Sequence, residues 1–68
     1  MSVPLDAPRV VAVKELQSGM VLTSDVKTKM GMLVALAGTR LLDSHIEKLQ
    51  NFERLIGLSE PVYVKGGS

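Results

Sequence analysis

The chain has 68 residues, 46% of them hydrophobic, and eight basic and seven acidic side chains give it a formal net charge of +1. This length allows one small domain, and the balance of charge argues against a surface for nucleic acid or anionic lipid. The absence of cysteine excludes disulfides and thiolate metal sites and fits a reducing, cytoplasmic compartment. No apolar run approaches the roughly 18 residues of a membrane span, and no signal-peptide pattern opens the chain.

The two ends differ in composition from the middle. Pro4 and Pro8 predict an extended arm or linker over residues 1–8, and the last four residues, 65–68, predict a flexible tail. Residues 9–64 then form a single small accessory domain. Because so short a chain buries little surface by itself, we expect it to pack against a second copy or another domain.

Alternating apolar residues predict strands in the first half of the domain. Residues 10–13 are β-prone and predict a first strand, which is followed by a turn at Gly19. From Met20 to Lys27 the pattern predicts a half-buried strand, with Met20, Leu22 and Val26 on its apolar face. Residues 29–31 supply the next turn, in which Gly31 can adopt a positive φ.

The next run is apolar on both faces. One face carries Met32, Val34 and Leu36, and the other carries Leu33, Ala35 and Ala37. This pattern predicts a strand that is buried on both sides, ending at Gly38. Because one helix cannot cover both faces, we interpret residues 32–37 as a surface for an oligomer or interdomain contact.

One amphipathic helix is predicted over residues 44–56. Asp43 and Ser44 are candidate N-caps, and Ser44 with Glu47 matches a capping box. Gly57 is a natural residue to end the helix. The apolar stripe of the helix consists of Ile46, Leu49, Phe52 and Ile56. With a short last strand at 62–64, the sequence predicts an α+β fold, in which a hairpin-rich sheet of about four strands packs on this helix.

No residue pattern indicates catalysis or a cofactor. His45 is the single histidine, and its neighbours at helical spacing, Lys48 and Leu49, are not metal ligands. The acidic residues are scattered, and the glycines do not form a phosphate-binding loop. We therefore expect neither an enzyme nor a metal or cofactor site.

Several segments together resemble a known module. The segments are residues 13–22, which include Gly19-Met20, then Asp25-Val26, 31–34 with Gly38, 46–52 with Asn51-Phe52, and 60–64. They are similar to the accessory module at the C-terminal end of some bacterial two-component response regulators, including ones with HD-type domains. The resemblance implies cytoplasmic signal transduction, with phosphorylation and any phosphodiesterase activity in other domains.

Three positions depart from that resemblance. Met30 stands where a polar residue is usual, Ala37 where Lys is frequent, and Leu42 where Thr often caps the helix. These changes favour a contact surface, and they leave Asp43 or Ser44 to cap the helix. We therefore expect a non-catalytic regulatory or oligomerisation module that acts through protein–protein contacts.

Two alternatives remain open at this point. A small DNA-binding hairpin would use Arg9, Lys14, Lys27 and Lys29. A sensor for a ligand such as a cyclic dinucleotide would need arginines for its phosphates and guanines, and the chain has only Arg9, Arg40 and Arg54, which are dispersed.

Overall fold

The computed structural model describes residues 7–66, which form five strands in two small sheets and one α-helix. This confirms the predicted α+β class, with one strand more than the expected four. In chain order the elements are β1 (Arg9–Val11), a one-turn 3₁₀ helix (Val13–Glu15), β2 (Met20–Leu22), β3 (Val26–Lys27), β4 (Leu33–Ala35), α1 (Asp43–Leu55) and β5 (Val62–Gly66). Most of the predicted N-terminal arm, residues 1–6, lies outside the described residues.

The last strand is the centre of the larger sheet. Its order is β1-β5-β2 with both pairs antiparallel, and Tyr63 lies opposite Val10 while Lys65 lies opposite Val21. The prediction of a tail from residue 65 is therefore wrong for Lys65 and Gly66. Pairing with β2 holds these two residues in the ladder, although their composition is typical of a tail. Residues 67–68 lie outside the described part.

The predicted strand from Met20 to Lys27 is two strands, which belong to different sheets. The expected apolar face is nevertheless confirmed, because Met20, Leu22 and Val26 are all buried. The chain bends at residues 23–25, and residues 38–41 run along the outer edge of β2. There Leu22 N donates to the Thr39 carbonyl at 2.9 Å, and Gly38 N donates to the Leu22 carbonyl at 2.7 Å.

Strands β3 and β4 form an antiparallel hairpin, and β3 is bordered on both of its edges. On the far side from β4, Lys29 N donates to the Gly57 carbonyl at 3.1 Å and Ser59 N donates to the Lys27 carbonyl at 2.8 Å. The segment after the helix therefore runs beside β3 and connects the hairpin to the C-terminal end of α1.

The helix begins one residue earlier than predicted. Leu42 is the N-cap, so Asp43 and Ser44 are not caps and lie in the first turn. Leu42 has no side-chain acceptor, and Nδ1 of His45 accepts a hydrogen bond from the Leu42 N–H at 3.0 Å. This histidine occupies the third helical position, where Glu or Gln completes a capping box.

Ten buried aliphatic side chains form a single core, to which the helix contributes Leu49. Ile46 and Phe52 are partly buried against it, as the stripe predicts. Ile56 is an exception at 45% exposed, because it is the C-cap and its backbone has left the helical conformation. The core consists of Val13, Leu16, Met20, Leu22, Val26, Leu41, Leu49, Leu58, Val62 and Val64.

Candidate contact surface

Four large apolar side chains on and beside the β3–β4 hairpin face solvent. Met30 at the turn is 87% exposed, Met32 58%, Leu33 48% and Leu36 57%. We call these four residues the hairpin surface. Three of them belong to the predicted contact segment 32–37, and Met30 extends it to the tip of the turn. Ala37, also in that segment, is exposed.

The two predicted faces of this segment do not separate as expected. Val34 and Ala35 are adjacent, yet both are half-buried and pack against the core. The cause is a shift in register. Ala35 pairs with Val26 and Leu33 pairs with the next residue, Lys27, so Val34 is an extra residue on β4. Such a bulge interrupts the strict alternation of side chains.

Thr28 holds the turn that presents Met30 and Met32. Its side chain is 1% exposed, and its Oγ1 accepts hydrogen bonds from Met32 N at 3.0 Å and Met30 N at 3.3 Å. Its backbone N–H donates to the Met32 carbonyl at 2.8 Å, and Gly31, with a φ of +88°, closes the turn. Thr28 is not among the residues predicted from the sequence. The signal available was a hydroxyl residue just before a glycine turn, a common local acceptor for backbone N–H groups.

Asp25 holds the opposite end of the hairpin. Its Oδ1 accepts a hydrogen bond from Ala37 N at 2.8 Å, so the residue before β3 is tied to the residue after Leu36. Together with Thr28, it gives the hairpin polar attachments at both ends. The exposed apolar side chains therefore project from a defined backbone.

The outer edge of β4 has no strand partner in residues 7–66, where the smaller sheet has two strands. The ten residues from Met30 to Thr39 also carry no charge, although 22% of the chain is charged. Exposed edge strands of monomers are usually protected by short length, a β-bulge, Lys, Pro or an inward-pointing charge. This edge is three residues long and has the bulge at Val34, but it has no Lys, Pro or charge.

Three of the scattered acidic residues accept hydrogen bonds from backbone N–H groups. Glu60 Oε2 accepts from Val13 N at 2.7 Å, Glu53 Oε2 from Leu58 N at 2.8 Å, and Glu15 Oε1 from Ala12 N at 3.0 Å. Among the described residues, no three His, Asp or Glu side chains are grouped so that they could hold a metal ion.

The basic residues of the DNA-binding alternative are spread over different elements. Arg9 lies on β1, where its guanidinium donates to the Gly66 carbonyl at 2.9 Å, and Lys14 lies in the 3₁₀ helix. Lys27 is on β3, and the side chain of Lys29 lies over Gly57. Of the arginines named for a ligand sensor, Arg40 pairs with Val21 beside β2, and Arg54 donates to the Asn51 side chain on α1.

A second surface feature is an open groove of about 450 Å³ along the outer side of α1. One end is lined by Phe52, Leu55 and Ile56, and the remaining lining residues are Ser44, Glu47, Lys48 and Asn51. Leu55 is 76% exposed. No helix in residues 7–66 is both long and apolar enough to cross a membrane.

No family model matches this chain, and neither the curated proteins nor the solved structures contain a match to it.

Proposed function

We propose that this chain is a non-catalytic regulatory or oligomerisation module of a bacterial response regulator, and that it acts through the hairpin surface. The observation that carries the proposal is the concentration of exposed Met and Leu side chains on one hairpin whose two ends are tied down by Thr28 and Asp25.

Exposed apolar side chains are common singly, but several close together on one ordered element indicate an interaction site. Four such side chains lie within seven residues of sequence, Met30–Leu36, on a single hairpin. Burying a Met or Leu side chain fully is worth about 1.5–3 kcal/mol, so a partner that covers this group gains enough to offset part of the entropic cost of association.

The assignment to response regulators rests on the sequence resemblance. In that setting the module lies beside domains that carry the phosphorylation site and any enzymatic activity, and it contributes contacts rather than chemistry. Its partner is a second copy or a neighbouring domain of the same protein.

Sedimentation equilibrium across a micromolar to millimolar concentration series tests the proposal. We expect the average mass of the wild-type chain to rise with concentration, and Leu33→Glu to abolish the rise. In the monomer, the new carboxylate faces Lys27 across the hairpin, so the fold is retained.

The matched control is Leu55→Glu, which places the same charge on a more exposed leucine of α1. We expect it to associate like the wild type. Loss of association in Leu55→Glu but not in Leu33→Glu would assign the contact to the helix groove and overturn the proposed surface.

A further inference from the structure

We propose that the partner at the hairpin surface is a second copy of this chain, bound by antiparallel pairing of the two β4 edges. The two hairpins then form one four-stranded sheet with the order β3-β4-β4-β3 about a two-fold axis. This inference rests on the proposed function, and it names the partner and the geometry of the contact.

The two strands of the hairpin differ in whether their outer edges are hydrogen-bonded. Strand β3 lies between β4 and residues 57–59 and has no free edge. Strand β4 has a partner only on the β3 side within the described residues, and Leu33–Ala35 make no backbone hydrogen bonds outside the hairpin there. A strand in this state is a template for the addition of another strand.

The absence of charge on this edge favours a copy of the same chain. A two-fold axis beside β4 places the residue on the axis opposite its own equivalent, and in so short a strand every other residue lies within a few positions of its equivalent, so a charge on this edge would lie near a like charge. The whole stretch Met30–Thr39 is uncharged, whereas the average for the chain would place about two charges in ten residues. An uncharged edge is self-complementary.

The surface available at β4 is small. A specific contact at the small end of the known range covers about 600 Å² per partner. That is roughly an eighth of the 4591 Å² accessible surface of this chain. The β4 edge is three residues long, and the four Met and Leu side chains beside it are already partly covered within the chain, so a contact here belongs to the small end of that range. We therefore expect a reversible dimer with a dissociation constant of roughly micromolar to millimolar.

Cysteine cross-linking tests the pairing directly. The chain has no cysteine, so a single introduced cysteine forms a disulfide only with a second copy. Residues opposite each other in an antiparallel pair are as close as a disulfide requires. Met32→Cys, Leu33→Cys and Leu36→Cys are compared with Leu55→Cys as the matched control on α1. We expect at least one β4-region variant to cross-link at least tenfold faster than the control; equal or faster cross-linking of the control overturns the pairing.

Amide hydrogen exchange separates this inference from the proposed function. We expect protection of the Leu33–Ala35 amides to increase with protein concentration, while protection of β1, the edge strand of the other sheet, stays constant. If mass rises with concentration but the new protection falls on β1 or α1, the β4 pairing is wrong and the oligomerisation function stands. If the wild-type chain stays monomeric to millimolar concentration, the second-copy inference is wrong and the proposed function keeps only its interdomain form.

Discussion

The Asp25 carboxylate and the Ala37 backbone N–H, twelve residues apart, lie 2.8 Å from each other and close the open end of the β3–β4 hairpin. At the other end, Thr28 Oγ1 accepts two backbone N–H groups of the turn. The backbone that carries the exposed apolar residues is therefore held by side-chain hydrogen bonds at both ends of the hairpin.

Removing the Asp25 carboxylate removes the hydrogen bond that holds the open end of the hairpin. We expect Asp25→Ala to lower the free energy of unfolding by about 1 kcal/mol, the usual net value of one hydrogen bond. Asp25→Asn retains an oxygen acceptor and is expected to lose less. Urea denaturation at low protein concentration measures both. Equal losses in the two variants would show that the hydrogen bond to Ala37 does not carry the effect.

Thr28 is expected to matter more, because its side chain is buried. Thr28→Val keeps the shape of the side chain and removes Oγ1, so the N–H groups of Met30 and Met32 lose that acceptor. We predict a loss of about 1–3 kcal/mol in the free energy of unfolding. Thr28→Ser, which keeps the hydroxyl, is the control and should retain most of that stability. Thermal and urea unfolding of the wild type and the two variants measure these stabilities. A Thr28→Val variant as stable as the wild type would contradict the role of Oγ1.

Glu60 has an equivalent role at the start of the 3₁₀ helix. Its carboxylate accepts from the backbone N–H of Val13, a residue that is 1% exposed. We expect Glu60→Ala to leave this donor unpaired and to cost about 1–3 kcal/mol. Glu60→Gln retains an acceptor oxygen and should cost clearly less. Chemical denaturation of the two variants measures the difference, and similar costs would assign the effect to the lost negative charge rather than to the lost acceptor.

The N-cap position offers a stabilising change. Leu42 is 54% exposed and has no side-chain oxygen for the first turn of α1. We expect Leu42→Thr to raise the free energy of unfolding by about 0.5–2 kcal/mol through a new side-chain cap. Leu42→Ala, which removes the same apolar surface without adding an acceptor, separates the two causes. A rise of equal size in the alanine variant would show that the cap is not responsible.

Two neighbouring residues of β4 should respond oppositely to a charge. Val34→Glu places a carboxylate against the core and is expected to unfold the domain, whereas Leu33→Glu leaves it folded. Circular dichroism and one-dimensional NMR report both outcomes. Two folded variants would mean that Val34 does not pack against the core.

Local patterns in the sequence account for much of this fold. The alternation of Met20, Leu22 and Val26 identified buried positions, and the helical spacing of Leu49 and Phe52 placed the core-facing side of α1. These predictions succeed because a side chain's face follows directly from the periodicity of its own element.

Contacts between distant segments decided the rest. Residues 38–41 cover the outer edge of β2, the predicted strand 20–27 divides between two sheets, and pairing with β2 extends β5 to Gly66. The bulge at Val34 depends on the register between β3 and β4, and the hydrogen bond from Val13 to Glu60 joins residues that are far apart in the sequence. No periodicity in the sequence predicts either of them. The sequence alone therefore determined which side chains are apolar and with what periodicity they recur. Only the tertiary structure determined which backbone groups pair, and hence that Leu33 faces solvent while Val34 faces the core.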